Sequence, residues 1–462
     1  MPINVCVQGL GFVGAAMATA LASKVDADGN AIFNAIGLDL ATETGKNRVD
    51  RINNGIFPFE STDTHLIDEF RKAHLRGNLK ATHNERVLQN VDVVVVDVNL
   101  DLNFEGYEPS VDFNNFQNAI ATVGKNIRPE TLVLIETTVP PGTCERVVLP
   151  ILQKHFTDRG IRASKVSLAH SYERVMPGDN YLTSITRMWR TYSGIDENSR
   201  NRCRSFLSNL IDTRVFPLTE LSTLRSSEIA KVLENSYRAT NIAFMHEWTK
   251  FSHAAGIDLF EVLKAIRVRP THSNIRYPGV GVGGYCLTKD PEFIKVSAKQ
   301  FFQYDSDFPF VDLTRATFSE MPAYAVHFIY KHLPKPIHEC RILLFGVTYR
   351  EDVSDTRYSP VEHLVSRLLA SNCSLRLIDP LVSYWSELEL SIEQEVPTRF
   401  DSDEIVVIAV NHKAFRVLHN YLLGSSRALL VIDLCNFFSK EEVKSLQNRG
   451  LQVFSLGRGD LK

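Results

Sequence analysis

The chain reads as an α/β protein in three parts: an N-terminal parallel sheet with crossover helices, a helical middle, and a smaller α/β domain at the C-terminus. Short β-rich runs alternate with helical stretches through the first ~200 residues, the rhythm of a parallel sheet. Long helical periodicity takes over from about Ser222, and the alternation returns after Pro334 and Pro336.

In order, strands are expected at residues 3–7, 35–39, 91–98, 132–136 and 165–170. The four valines 93–96 are continuously apolar, as strands covered on both faces must be. Residues 226–253 contain no Pro or Gly and are expected to form one long helix, with Ile229, Val232 and Leu233 on its apolar side. Further strands are expected at 342–347, 375–379, 404–410, 429–434 and 453–456. The domain limits that follow are 1–205, 222–318 and 338–462.

With 462 residues, 44% of them apolar, the chain is long enough for two or three domains. A net charge of −3 with no basic tract argues against a nucleic-acid or anionic-membrane partner. No apolar run approaches the ~20 residues that span a bilayer, and the strand pattern starting at residue 3 leaves no room for a signal peptide, so a cytoplasmic location is expected. The seven cysteines form no C-x-x-C pair, and neither a disulfide framework nor a metal site is expected.

Gly9-Leu10-Gly11-Phe12-Val13-Gly14 follows the first strand directly and opens a helix rich in small residues. Glycines there let the backbone approach a pyrophosphate at the positive helix end. The second strand ends in Asp39, an acid placed to accept from the adenosine ribose hydroxyls and to repel a 2′-phosphate. NAD is therefore the expected cofactor, and the first domain is Rossmann-like. The last domain lacks a second such motif.

Five stretches resemble the UDP-glucose/GDP-mannose dehydrogenase family: the glycine turn, Glu136-Thr137-Thr138-Val139-Pro140-Pro141-Gly142-Thr143, Glu173-Arg174-Val175-Met176-Pro177-Gly178, Lys231 with Asn235, and Gly281-Val282-Gly283-Gly284-Tyr285-Cys286-Leu287-Thr288-Lys289-Asp290. A sixth runs from Gly346-Val347-Thr348-Tyr349-Arg350 through Asp355-Thr356-Arg357. The resemblance implies a Rossmann-like NAD domain, a central helical dimerisation domain, and a smaller Rossmann-like domain that helps hold a UDP-sugar. It also implies oxidation of the sugar C6 alcohol to a carboxylate.

That oxidation removes four electrons, so the aldehyde must be retained while NAD is replaced, and a thiolate that captures it covalently meets the need. The resemblance assigns the nucleophile to Cys286, with Lys289 close enough in sequence to lower its thiol pKa. Asp290 is implied to activate water or organise protons, although Asp290-Pro291-Glu292 also reads as a helix start with Asp as N-cap. Lys231 and Asn235 are implied to stabilise an oxyanion. They share one helix face with Arg238, opposite the apolar side. Glu173 is implied to serve thioester hydrolysis, with Arg174, Val175, Arg238, Asn274, Gly283, Tyr349 and Arg350 at the substrate. Thr138 and Arg357 are implied to contact the cofactor, beside Gly9, Gly11, Phe12, Val13, Gly14 and Asp39.

Several positions depart from the family pattern. Val98-Asn99-Leu100-Asp101 stands where Val-Pro-Thr-Pro is usual, which removes a threonine expected beside NAD. Arg350 replaces a lysine, Cys435 a basic residue and His272 an arginine, for which Arg269 or Arg276 could substitute. The E-R-x-x-P-G form of the Glu173 stretch favours UDP-N-acetylglucosamine or UDP-N-acetylmannosamine over UDP-glucose. The alternatives are a UDP-glucose 6-dehydrogenase, a two-electron hydroxyacid dehydrogenase, and an inactive protein that binds NAD or a nucleotide sugar. A homodimer or higher homo-oligomer is expected.

Overall fold

A computed structural model describes residues 1–105, 108–425 and 429–461. The chain divides into two compact units, residues 1–234 with 292–306 and residues 235–291 with 307–462, so the central helical segment is shared between them.

The first unit is built on ten strands: β1 (Ile3–Gln8), β2 (Phe33–Leu38), β3 (Leu79–Thr82), β4 (Val93–Val96), β5 (Leu102–Glu105), β6 (Glu108–Val111), β7 (Leu132–Ile135), β8 (Ser167–His170), β9 (Thr191–Gly194) and β10 (Thr219–Glu220). Eight of them form one sheet in the order β10-β9-β8-β7-β4-β1-β2-β3, while β5 and β6 make a separate hairpin. The pairing is parallel except where β9 runs against β8. Alternation divides the strand residues between two cores. Val5, Val93, Val95, Leu132 and Leu134 face a core that includes the helix Phe12–Ser23, and Cys6, Val94, Val96, Val133 and Ile135 face the other. Both faces are covered, which is why β4 can be four valines.

The second unit carries a parallel sheet in the order β12-β11-β15-β16-β17, made of β11 (Arg341–Phe345), β12 (Ser374–Ile378), β15 (Glu404–Ile408), β16 (Leu430–Asp433) and β17 (Gln452–Ser455), with a small hairpin of β13 (Tyr384–Trp385) and β14 (Leu390–Ser391). It too has a core on each face, one of which includes Ala325, Phe328 and Ile329 of the helix Pro309–His332.

All ten expected strands are present, to within about two residues at their ends. The sequence reading missed β3, both hairpins, β9 and β10, which are short and mix polar with apolar residues. The long helix is present as Leu224–Ala255. Its burial matches the expectation only in part. Val232 is 3% exposed and Lys231 7%, whereas Ile229 is 47% and Leu233 64% exposed. On the polar face Lys231 is buried and Arg238 exposed; the burial of Lys231 is offset by its oxygen partners on Glu173. No helix among the described residues is long and apolar enough to cross a membrane.

Candidate active site

In the first unit, the turn after β1 depends on glycine. Gly9 has φ +94°, and a Cβ there would sit 2.5 Å from the Asp97 carbonyl oxygen. A Cβ on Gly14 would lie 1.8 Å from the Gly9 carbonyl oxygen. At Gly11, which caps the helix Phe12–Ser23 with backbone alone, a Cβ would meet nothing within 4 Å. A tight turn thus leads into a helix end with open space above it, as a pyrophosphate requires. Phe12 stacks on Phe59 at 4.1 Å between ring centroids. Asp39 follows β2 and accepts from Leu40 N at 2.8 Å and from Arg48 at 3.3 Å. Val13 and Thr138, the latter just beyond β7, are half-buried. Neighbouring Thr137 donates to the carbonyls of Val96 and Val98 at 3.1 and 2.9 Å, so a hydroxyl from the next strand secures the segment that lacks the usual Pro-Thr-Pro.

On the same unit, Lys231 Nζ donates to the Glu173 carbonyl at 2.9 Å and lies 3.8 Å from its carboxylate. Both side chains are buried, and the ammonium sits 5.4 Å from the Tyr172 ring centroid. The Glu173 carboxylate also accepts from Val175 N, and Val175 packs against the first core. Arg174 forms a two-point ion pair with Glu234, 3.0 Å from Nε and 2.8 Å from Nη2, over the Tyr172 ring. Its guanidinium therefore orders this segment. Three residues before Lys231, Glu228 accepts from Gly142 N at 2.6 Å and Cys144 N at 2.8 Å, tying the Pro-Pro-Gly-Thr loop to the long helix. Burial pushes its carboxyl up to about 7.

In the second unit, Cys286 is the only exposed cysteine of the seven. Its carbonyl accepts from Asp290 N at 2.9 Å, which closes a helix-like turn. Asp290 is fully buried and accepts from Asn235 Nδ2 at 2.7 Å and Lys289 Nζ at 3.0 Å. The expected N-cap role is not seen: the helix Phe293–Ser297 has Glu292 at its N-cap position with no side-chain cap, because the Asp290 carboxylate is taken by Asn235 and Lys289. Lys289 lies 3.0 Å from Asp290 and 4.4 Å from the Tyr285 ring centroid, so its charge is already engaged beside the cysteine turn.

Gly283 and Gly284 lie flat on Tyr349: a Cβ on Gly283 would be 2.7 Å from Tyr349 Cβ, and one on Gly284 2.7 Å from its ring. Burial lifts the Tyr349 phenol to about 12, so it is un-ionised and buttresses the cysteine loop. Arg357 is held by Asp355 at 2.9 and 2.7 Å. Asn274 donates to the Tyr237 hydroxyl at 3.2 Å, Arg350 lies 3.7 Å from Glu351, and Arg238 is exposed. His272 and Arg269 are exposed, Arg276 half-buried, and burial with Asp433 alongside raises the Cys435 thiol well above its usual range.

The structure thus brings Lys231 to Glu173, and Asn235 and Lys289 to Asp290. The sequence reading missed Asp97, the Glu136–Arg190 ion pair, Glu228 and Glu234. Asp97 had a signal, since it interrupts an otherwise apolar run at the carboxyl end of β4. Glu234 and Arg190 had none, because their partners lie 60 and 54 residues away.

A doubly wound sheet with a glycine turn at its switch point defines a dinucleotide-dependent enzyme. Residues 3–205 match the NAD binding domain of the UDP-glucose/GDP-mannose dehydrogenase family, 225–317 its central domain and 343–440 its UDP binding domain. The chain belongs to that family; it is a nucleotide-sugar dehydrogenase with NAD as cofactor. It is similar to UDP-N-acetyl-D-mannosamine dehydrogenases from Pyrococcus horikoshii, 28% identical over 99% of this chain and 100% of that one, and from Methanocaldococcus jannaschii, 27% identical over 99% and 97%. A solved UDP-D-ManNAc dehydrogenase from Pyrococcus horikoshii shares the fold with a TM-score of 0.80 at 24% identity, covering 99% of this chain and 100% of that one.

Proposed function

We propose that this enzyme oxidises the C6 alcohol of a UDP-N-acetylhexosamine, UDP-N-acetylmannosamine or UDP-N-acetylglucosamine, to the uronate through two covalent states of Cys286. NAD acts as the two-electron acceptor in each oxidation. The alcohol first becomes an aldehyde, and the Cys286 thiolate adds to its carbon, forming a C–S bond. Loss of two more electrons turns this thiohemiacetal into a thioester, and water then cleaves the C–S bond to release carboxylate and thiolate. Each sugar consumes two NAD and one water and yields two NADH and three protons.

The observation that carries this reading is the Cys286 turn. The one exposed thiol follows a glycine pair pressed on Tyr349 and precedes an Asp290 that holds Asn235 and Lys289. Asn235, oriented by Asp290, donates to an oxyanion, and Lys231 is assigned the supply of positive charge to it. Glu173 orients or deprotonates the hydrolytic water. Gly9, Gly11, Phe12, Val13 and Gly14 cradle the dinucleotide, with Asp39 on the adenosine ribose; Thr138 and Arg357 are assigned to the cofactor as well. Val175, Arg238, Asn274, Gly283, Tyr349 and Arg350 serve the sugar nucleotide. Arg174 acts through its hold on Glu234.

The enzyme is also a homodimer in this reading. Ile229, Leu233, Tyr237, Phe244, Trp248 and Phe251 are exposed and fall within a ~100° sector of the long helix, the apolar stripe of a helix that packs on a partner.

The test is NADH release from the purified protein with UDP-glucose, UDP-N-acetylglucosamine, UDP-N-acetylmannosamine, UDP-galactose and GDP-mannose, counted per sugar consumed. Two NADH with an N-acetylhexosamine nucleotide is the expected result. One NADH per sugar refutes the four-electron reaction, and two with UDP-glucose alone refutes the substrate.

A further inference from the structure

The register of the first sheet lines up a row of residues at its carboxyl edge. Gln8 pairs with Val96, Val96 with Ile135 and Ile135 with His170, so the next row is Gly9, Asp97, Glu136 and Ser171. Alternation turns Asp97 and Glu136 to the face that carries Val95 and Leu134, under the helix Phe12–Ser23. The position Asp97 takes is immediate to the glycine turn: a Cβ on Gly14 would lie 3.4 Å from Asp97 Cβ. Because β4 and β1 are neighbours and β2 lies beyond β1, Asp97 stands on the opposite side of the turn from Asp39.

Glu136 Oε1 accepts from Arg190 Nη1 at 2.6 Å, and both side chains are fully buried. Asp97 Oδ2 and Glu136 Oε2 meet no donor among the described residues. Two buried carboxyl groups thus share one guanidinium, and electroneutrality at this site is reached with one proton on the pair. Burial raises the Glu136 carboxyl too, but the Arg190 ion pair opposes that rise directly, so of the two acids Asp97 is the one that holds the proton more readily. Burial first, and then the charges of Glu136 and Glu173, push Asp97 well above the usual carboxylate range, against the pull of Arg190. The charged groups facing the pair are Glu173 beyond β8, Arg190 ahead of β9 and Lys231 on the long helix.

We propose that Asp97, acting with Glu136 and Arg190, is a positioning residue that makes the enzyme discriminate oxidised from reduced dinucleotide according to whether the acid pair holds its proton. With the adenosine ribose on Asp39, which rests on the reading above, and the pyrophosphate at the glycine turn, the nicotinamide half falls on the β4 side. Oxidised and reduced dinucleotide carry the same pyrophosphate and differ by one positive charge on the ring. When the pair holds one proton, the Asp97, Glu136 and Arg190 group is neutral and the two forms bind alike. When the proton leaves, one negative charge remains beneath the ring, and NAD binds more tightly than NADH. A two-oxidation cycle must exchange NADH for NAD while the sugar stays bound, and this bias drives the exchange forward.

The test measures dissociation constants for NAD and NADH separately, by calorimetry and NADH fluorescence, between pH 6 and 10. In the unaltered enzyme, the ratio of the NADH constant to the NAD constant should rise with pH by on the order of tenfold, the Coulomb interaction of unit charges roughly 10 Å apart at an effective dielectric near 20. In Asp97→Asn, which keeps the shape and cannot ionise, the ratio should stay flat. A flat ratio in the unaltered enzyme, or an unchanged rise in Asp97→Asn, overturns the proposal. Should that variant not fold, infrared spectroscopy of the unaltered protein between pH 6 and 10 decides: besides the band of Glu228, whose carboxyl burial lifts to about 7, a second carbonyl band of a buried protonated carboxyl is expected, and its absence overturns the proposal. Asp39→Ala should weaken both dinucleotides by the same factor without altering their ratio, which tests the adenosine placement separately.

Discussion

Replacing Arg190 by methionine is expected to destabilise the first unit by an amount that depends on pH. Arg190 and Glu136 are both 0% exposed and 2.6 Å apart, and Asp97 lies in the same buried row. Methionine fills the aliphatic volume and removes the one positive charge bonded to Glu136 among the described residues. A buried charge stripped of its partner costs about 3 to 5 kcal/mol. Glu136 can escape part of this by taking a proton, and that escape becomes dearer by about 1.4 kcal/mol for each unit of pH. The loss of stability should therefore be greater at pH 8 than at pH 6, by up to about 2.7 kcal/mol. Urea denaturation at the two pH values, with the m value checked for constancy, reads the difference. Adding Glu136→Gln to Arg190→Met should recover most of the loss, since no bare charge then remains. A loss below about 1 kcal/mol, or one that is equal at both pH values, would refute the claim that this cluster is held by a buried charge balance.

Three further outcomes are expected. Cys286→Ser should stop the second oxidation while dinucleotide binding persists, because a serine hydroxyl is a poor nucleophile near neutral pH; uronate formed at the original rate rules the mechanism out. His170 is fully buried against Ser227, and burial, then the charge of Lys231, lowers its pKa to about 3. Its neutral form favours the fold above the unfolded value near 6.5, and that contribution, up to about 4 to 5 kcal/mol, is lost as pH falls from there toward 3. His170→Gln should flatten the acid limb of the stability profile, and an unaltered slope between pH 6 and 4 contradicts this account. Leu233→Glu in the exposed stripe should give a monomer in sedimentation equilibrium with the fold retained by circular dichroism, whereas an unchanged oligomer excludes that face as the interface.

Local signals were enough for the elements of regular structure. An unbroken apolar strand, a glycine turn feeding a helix, and a helix of 32 residues free of interior Pro or Gly each follow from steric and hydrophobic terms that act over a few residues. They sufficed for all ten expected strands and for Gly9 and Asp39 at adjacent strand ends, whereas Cys286 and Asp290 were singled out by the family resemblance. What the sequence could not determine is which face of an element is buried and which partner takes each charge. Ile229 and Leu233 look like core residues and are exposed, while Lys231 looks like a surface lysine and is buried on the Glu173 carbonyl. Asp290 reads as a helix cap, and Asn235, 55 residues away, claims its carboxylate. Arg174 reads as a sugar ligand, and Glu234 holds it. Burial, and then Glu136 across the sheet, lift the Asp97 carboxyl well above its usual range. These outcomes depend on desolvation and on charges brought close only when distant segments pair, and both are properties of the folded chain.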